Sequence, residues 1–267
     1  AVAQHWQPLA NPIAREAAAR RPLIAGINGA QGSGKSTVCR CLEVLLRARG
    51  LRAVTLALDD LYLTRAERSE LASAVHPLFA TRGVPGTHAV GLGLAIVEDV
   101  LAGRAFTLPR FDKAVDDRAA EGTAITGPVD VLLLEGWCVS ALPQPESALA
   151  APVNALEAEE DGDGLWRHVV NRHLAADYAT LFGLIDLLVM LKVESFEAVH
   201  ANRALQEAKL RESRPDAPGL LDEGALARFI QHYERLTRWM LAEMPGRTDV
   251  VFTIGPDQCP LTLPGGL

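Results

Sequence analysis

The chain has 267 residues, 49% hydrophobic and 22% charged, an ordinary balance for a globular fold with a sizeable core. Its net charge of −7 argues against non-specific nucleic-acid binding, and any anionic ligand needs a local positive pocket. With no secretory leader pattern and no apolar run of membrane-spanning length, a cytoplasmic protein without a membrane partner is expected. The four cysteines, Cys39, Cys41, Cys138 and Cys259, lack metal-ligand spacing and read as reduced thiols.

In chain order, residues 1–21 hold Trp6, Pro8 and Pro12 and then an Ala/Arg helix that ends before Pro22. Residues 23–27 are a short apolar run of the kind a buried parallel strand shows. Gly29-Ala30-Gln31-Gly32-Ser33-Gly34-Lys35-Ser36 follows, with Thr37 next. A glycine, four free positions and Gly-Lys-Ser is the phosphate-binding loop pattern. Its glycines let successive N–H groups face one anion. In that pattern Lys35 reaches the β- and γ-phosphates of ATP, and the Ser36 hydroxyl ligates Mg²⁺. A helix over 35–49 then aims its positive end at the phosphates.

A second strand, 53–58, delivers Asp59 and Asp60 at its C-terminal end. A charged helical stretch covers 65–74, a Gly/Pro-rich segment 82–88 and a helix 90–102, and extended chain begins at Phe106. Residues 129–135 are a buried strand ending in Glu135. The acidic stretch 157–163 is expected to be a solvated face or loop. Helices at 165–182, 194–213 and 222–243 and strands at 184–191 and 249–254 complete the pattern. Strands alternating with helices give an α/β fold of the P-loop NTPase kind: a mostly parallel sheet flanked by helices on both faces, in three layers. Residues 1–267 are expected to form a single domain.

In open α/β sheets, ligands bind beyond the carboxyl ends of the strands. Three such ends carry chemistry here: the phosphate loop, Asp59-Asp60 and Glu135. Asp59 is the candidate to accept or orient the proton of an acceptor hydroxyl, and Glu135 to hold Mg²⁺ with Ser36. Asp60 can share either duty. A helix cap or plain surface charge is the bland alternative for each acid. Arg110, Lys113 and Arg118 surround Asp112 and suit a small anionic acceptor, with solvated surface charge as the alternative. Thr87 and His88 close the Gly/Pro-rich segment and, with Asp60, are candidates to bind the acceptor, a chance surface histidine being the alternative for His88. Lys209 and Arg211 are candidates for a lid over the triphosphate. No Asn-Lys-x-Asp tetrapeptide marks a GTPase, and no Leu-Ser-Gly-Gly-Gln stretch marks a transporter ATPase. A regulatory nucleotide-binding ATPase without an acceptor remains the alternative from another class.

Five segments together resemble the D-glycerate 3-kinase family of P-loop kinases, related to phosphoribulokinase, uridine kinase and pantothenate kinase. They are residues 26–37, Leu58-Asp-Asp-Leu-Tyr-Leu-Thr64, Arg82-Gly-Val-Pro-Gly-Thr-His88, Leu108-Pro-Arg-Phe-Asp-Lys113 and Leu134-Glu-Gly-Trp137. The resemblance implies ATP-dependent phosphorylation of D-glycerate at the 3-hydroxyl. It implies that Asp59 is the catalytic aspartate and that Tyr62, His88, Arg110 and Lys113 line the acceptor pocket. Two departures stand out: Ala89 where the family usually has Asp, and a shortened Ala114-Val-Asp-Asp-Arg118 after Lys113. They leave uridine-, pantothenate- or ribulose-phosphate-type acceptors open.

Overall fold

The computed structural model describes residues 2–213, 222–255 and 260–261. Its strands are β1 (Leu23–Gly29), β2 (Ala53–Ala57), β3 (Phe106–Leu108), β4 (Phe111–Asp112), β5 (Asp117–Arg118), β6 (Thr123–Ile125), β7 (Val131–Gly136), β8 (Leu187–Lys192) and β9 (Val250–Thr253). The helices are α1 (Val2–Ala19), α2 (Lys35–Arg47), α3 (Arg65–Ala74), α4 (Val90–Leu101), α5 (Glu146–Leu149), α6 (Ala155–Glu160), α7 (Leu165–His173), α8 (Ala179–Phe182), α9 (Phe196–Ser213) and α10 (Glu223–Glu243). A π-helical turn, Leu174–Tyr178, joins α7 to α8, so the helix expected over 165–182 is continuous but locally widened.

The main sheet runs β2-β7-β1-β8-β9, with every neighbouring pair parallel. Alternation along its strands separates two cores. Ile24, Leu56, Leu132, Leu134 and Met190 face the side covered by α4, α8 and α10. Leu23, Ala25, Ile27, Val131, Leu133, Val189 and Leu191 face the side covered by α1 and α2. This is the helix–sheet–helix sandwich that the sequence pattern predicts. The short pairs β3–β6 and β4–β5 are antiparallel and lie outside that sheet.

At the far edge of the sheet, aspartates hold strand starts. The Asp186 carboxylate accepts the Ile24 N–H at 2.9 Å, and Asp249 accepts the Leu188 N–H at 2.7 Å. Asp130 accepts the Arg52 N–H at 2.7 Å. Each satisfies a backbone donor at the sheet's lower rim.

Two expectations need correction. The N-terminal helix is not confined to the stretch after Pro12, because α1 contains both Pro8 and Pro12. Its stripe of Trp6, Leu9, Ala10, Ile13 and Ala17, all buried, outweighs the proline penalty of about 3 kcal/mol each. The acidic stretch 157–163 is not simply a solvated face, since Glu157 and Asp161 are fully buried. Glu157 takes two hydrogen bonds from Arg235, at 2.6 and 2.8 Å, and Asp161 is 3.0 Å from Arg167 Nη1 and caps α7 through the Trp166 N–H. Local charge density cannot reveal arginines supplied from α10 and α7.

Candidate active site

The phosphate loop joins β1, at the centre of the sheet, to α2. Gly34, the residue before α2, sits at φ 88°, a left-handed conformation that a side chain would strain. Gly29 is needed for space, because a Cβ there would lie 2.6 Å from Ser33 Oγ and 3.0 Å from the Leu191 Cβ. Ser33 is fully buried, and among the described residues its hydroxyl has no hydrogen-bond partner, nor has Gln31 Oε1. Lys35 folds back to donate to the Ala30 carbonyl at 3.2 Å. Thr37 and Ala30 complete the loop on either flank. Asn28, just before it, donates its side-chain amide to the carbonyls of Trp137 and Val139, at 3.1 and 2.8 Å, locking the end of β1 to that of β7.

Glu135, on β7 in register with Ile27 of β1, is buried and accepts the Ser36 hydroxyl at 2.7 Å. A hydroxyl and a carboxylate are hard oxygen donors, the set Mg²⁺ prefers, and the pair lies at the start of α2 where phosphates would bind.

Asp59 and Asp60 lie in a 3₁₀ turn, Leu58–Leu61, directly after β2. One oxygen of Asp59 accepts the Tyr62 hydroxyl at 2.9 Å and the other meets Lys113 Nζ at 2.5 Å. Burial pushes the Asp59 carboxyl up, but Lys113, Lys35 and the Tyr62 hydrogen bond outweigh it and hold the group well below the usual carboxylate range. Asp60 is raised instead, chiefly by burial and also by the neighbouring Asp59 charge, although Asp60 Oδ1 accepts the Phe111 N–H at 2.9 Å. Adjacent aspartates therefore differ. Asp59 faces cations, whereas Asp60 ties β4 to the end of β2.

The segment before α4 forms the opposite wall. Tyr62 and His88 make an isolated antiparallel bridge, and their rings stack at 4.6 Å with 24° between planes. His88 is buried, its pKa pushed down to about 4 by desolvation, so it is neutral at pH 7. Thr87 donates to the Val84 carbonyl at 2.7 Å and accepts the Gly83 N–H at 2.9 Å. Its hydroxyl is fully buried and bonds within its own loop. Arg110 is exposed, and Asp60 feels its charge. Arg118 donates to the Tyr62 carbonyl at 3.0 Å. Lys209 and Arg211 fall on α9, but their side chains lie outside the described residues, as does Cys259.

Sequence reasoning missed a group of supporting residues. Asp116, in a left-handed conformation at φ 57°, pairs with fully buried Arg68 at 2.6 Å and with Arg82. Both guanidiniums lie over the Phe111 ring, at 5.8 and 5.6 Å, and that ring meets Tyr62 edge-on. Trp137 Nε1 donates to the Gly83 carbonyl at 2.8 Å, and the Tyr233 hydroxyl to the Arg82 carbonyl at 3.1 Å. Arg82, Phe111 and Trp137 fall within the motif segments and carry a local signal. The others are brought in by long-range packing.

No family model matches the chain. Among curated relatives, a fission-yeast protein (Schizosaccharomyces pombe) described as "uncharacterized kinase mug58" is 34% identical over 225 residues, spanning 80% of this chain and 79% of that one. The chloroplastic D-glycerate 3-kinase of Arabidopsis thaliana is 28% identical over 243 residues, 85% of this chain but only 50% of the plant protein. The solved D-glycerate 3-kinase of Cryptococcus neoformans superposes with a TM-score of 0.79 at 23% identity, over 98% of each chain, a likeness that establishes the fold. A parallel sheet with a phosphate loop at its central strand, and acids at the ends of the two strands on one side of it, β7 and β2, is the architecture of a P-loop kinase, a phosphotransferase. The chain belongs to the D-glycerate 3-kinase family of these enzymes.

Among the described residues no helix is long and apolar enough to cross a membrane.

Proposed function

We propose that this chain transfers the γ-phosphoryl group of ATP to the 3-hydroxyl of D-glycerate, releasing ADP and 3-phosphoglycerate. The observation that carries the reading is Asp59 at the end of β2, clasped between the Tyr62 hydroxyl and Lys113 Nζ. The plant relative's name supplies the acceptor. A switch protein needs no carboxylate and basic side chain side by side at a strand end. A kinase for a hydroxy acid needs both.

The residues divide the work as follows. Gly29 to Thr37 bind the triphosphate, with Lys35 leaving the Ala30 carbonyl for the phosphate oxygens. Ser36 and Glu135 are the residues that would hold Mg²⁺, which when bound neutralises phosphate charge. Lys113, helped by exposed Arg110, binds the acceptor carboxylate. As it stands, Lys113 blunts Asp59 as a base. An acceptor carboxylate that draws Lys113 away frees Asp59 to orient the hydroxyl and take its proton as the hydroxyl oxygen bonds to the γ-phosphorus and the bond to the β-phosphate bridging oxygen breaks. Tyr62 keeps Asp59 in place throughout. Buried thiols such as Cys39 and Cys138, both unpaired, suit a reducing compartment, and the cytoplasm is the location we infer for one kinase unit spanning the chain.

The test is ADP release with MgATP, measured with and without D-glycerate and with a panel of uridine, pantothenate and ribulose 5-phosphate. D-Glycerate alone should accelerate release. Equal rates with and without it would overturn the proposal.

A further inference from the structure

Tyr178 closes the π-helical turn between α7 and α8, far in sequence from every motif, and it is fully buried. Its hydroxyl lies 2.6 Å from His88 Nδ1 and also accepts the Gly86 N–H at 3.0 Å. The other ring nitrogen of His88, Nε2, is buried and has no hydrogen-bond partner among the described residues. We infer that Tyr178 is a positioning residue that fixes the tautomer of His88, so that His88 offers an Nε2–H donor to an oxygen of the acceptor. The inference rests on the acceptor pocket described above.

The assignment follows from counting protons. A phenol has one proton to give. With Gly86 donating to the Tyr178 oxygen, the phenolic proton goes to His88 Nδ1, which must then be the bare nitrogen, leaving the imidazole proton on Nε2. The reverse arrangement, Nδ1–H donating to Tyr178, strands two buried groups at once: the Tyr178 O–H without an acceptor and the Nε2 lone pair without a donor. The inferred arrangement strands only one, and that one is a donor, the group a ligand oxygen satisfies. An imidazolium is opposed by the burial that holds His88 neutral.

Geometry links this donor to the chemistry. His88 stacks on Tyr62, Tyr178 meets the His88 ring edge-on at 5.7 Å, and the Tyr62 hydroxyl holds Asp59. Three rings in contact, one pair stacked and one edge-on, thus connect the π-helical turn to the candidate base. Gly86 is fixed in the same network, with φ 100° and a hypothetical Cβ 2.7 Å from His173 Cδ2. Nε2 is buried, so the donor role requires the wall around it to yield to the acceptor. π-Helical turns recur at functional sites.

The test uses the intact chain. Long-range ¹H–¹⁵N spectra of the histidines, with His88 assigned from a His88→Gln variant, should show the Nε2–H form in the unliganded protein. They should also show a shift of that resonance on adding D-glycerate with MgADP. Tyr178→Phe should turn His88 into a mixture of tautomers and raise the KM for D-glycerate about tenfold, with the KM for ATP within about twofold of wild type. An Nδ1–H form in the wild-type protein overturns the assignment whatever the acceptor proves to be, and it needs no variant to fold. An unchanged acceptor KM in a folded Tyr178→Phe enzyme overturns the positioning role. Failure of D-glycerate to stimulate ADP release while the Nε2–H form is observed refutes the acceptor reading and, with no shift on any acid of the same class, the donor role as well.

Discussion

Asp59 answers to Tyr62, Lys113 and the charge of Lys35 at once, while Asp60, its neighbour, is committed to the Phe111 N–H. This difference gives the two acids different expected phenotypes. Asp59→Asn keeps the shape and the Tyr62 contact but cannot take a proton. Its kcat should fall about 10²- to 10⁴-fold with the KM for ATP preserved, as for a positioned base. Lys35→Ala should instead weaken ATP handling as a whole, seen as a raised KM for ATP. Steady-state kinetics of both variants check this, and near-normal turnover in Asp59→Asn removes Asp59 from the proposed role. Lys35 and Ser36 were legible from the phosphate-loop spacing, and Asp59 and Glu135 because each sits where an apolar run stops, since strand ends are where such sheets bind ligands. Asp116, Arg68 and Tyr178 were not. Arg68 and Asp116 are 48 residues apart, and His88 and Tyr178 are 90 apart. Nothing in the local pattern around any of them announces the partner.

Among the elements, the sheet separates acids by the end they occupy. Asp59 and Glu135 stand at carboxyl ends and face the phosphate loop, whereas Asp130, Asp186 and Asp249 stand at the opposite rim and bond strand N–H groups. Asp186 illustrates the structural kind, since it accepts from Ile24 at the start of β1 and pairs with Arg20. Asp186→Ala should therefore lower stability by about 1–3 kcal/mol, the cost of an unsatisfied buried N–H, and leave both KM values unchanged. Urea unfolding beside steady-state kinetics checks it, and a catalytic defect without loss of stability would contradict the division. The strands were readable from their apolar runs. The small β4–β5 pair was readable only as a start of extended chain, because its two-residue strands depend on Asp60 and on Arg68 and Arg82, supplied from other segments to hold Phe111 and the Asp116 of the joining turn.

At the scale of the whole molecule, burial of neutral histidines sets an acid limit. His88 and His232 each have a pKa pushed down to about 4 by desolvation, against 6.5 when unburied. Between pH 6.5 and 4 the unfolded chain binds these protons and the folded chain does not, so stability falls as the pH falls through that window. Each histidine contributes at most about 3 kcal/mol to the loss. Thermal unfolding from pH 7 to 4.5 should show a progressively lower Tm, with a shallower fall in His232→Gln; a flat Tm would contradict it. Fold and phosphate loop come from one chain-long pattern, and the relatives fix the family, but the central claim concerns the acceptor. The direct measurement is ³¹P NMR of the product formed from MgATP and D-glycerate. We expect a phosphomonoester resonance split into a triplet by the two methylene protons of 3-phosphoglycerate. A doublet, from phosphate on the 2-hydroxyl, or inorganic phosphate as the sole product would contradict the account.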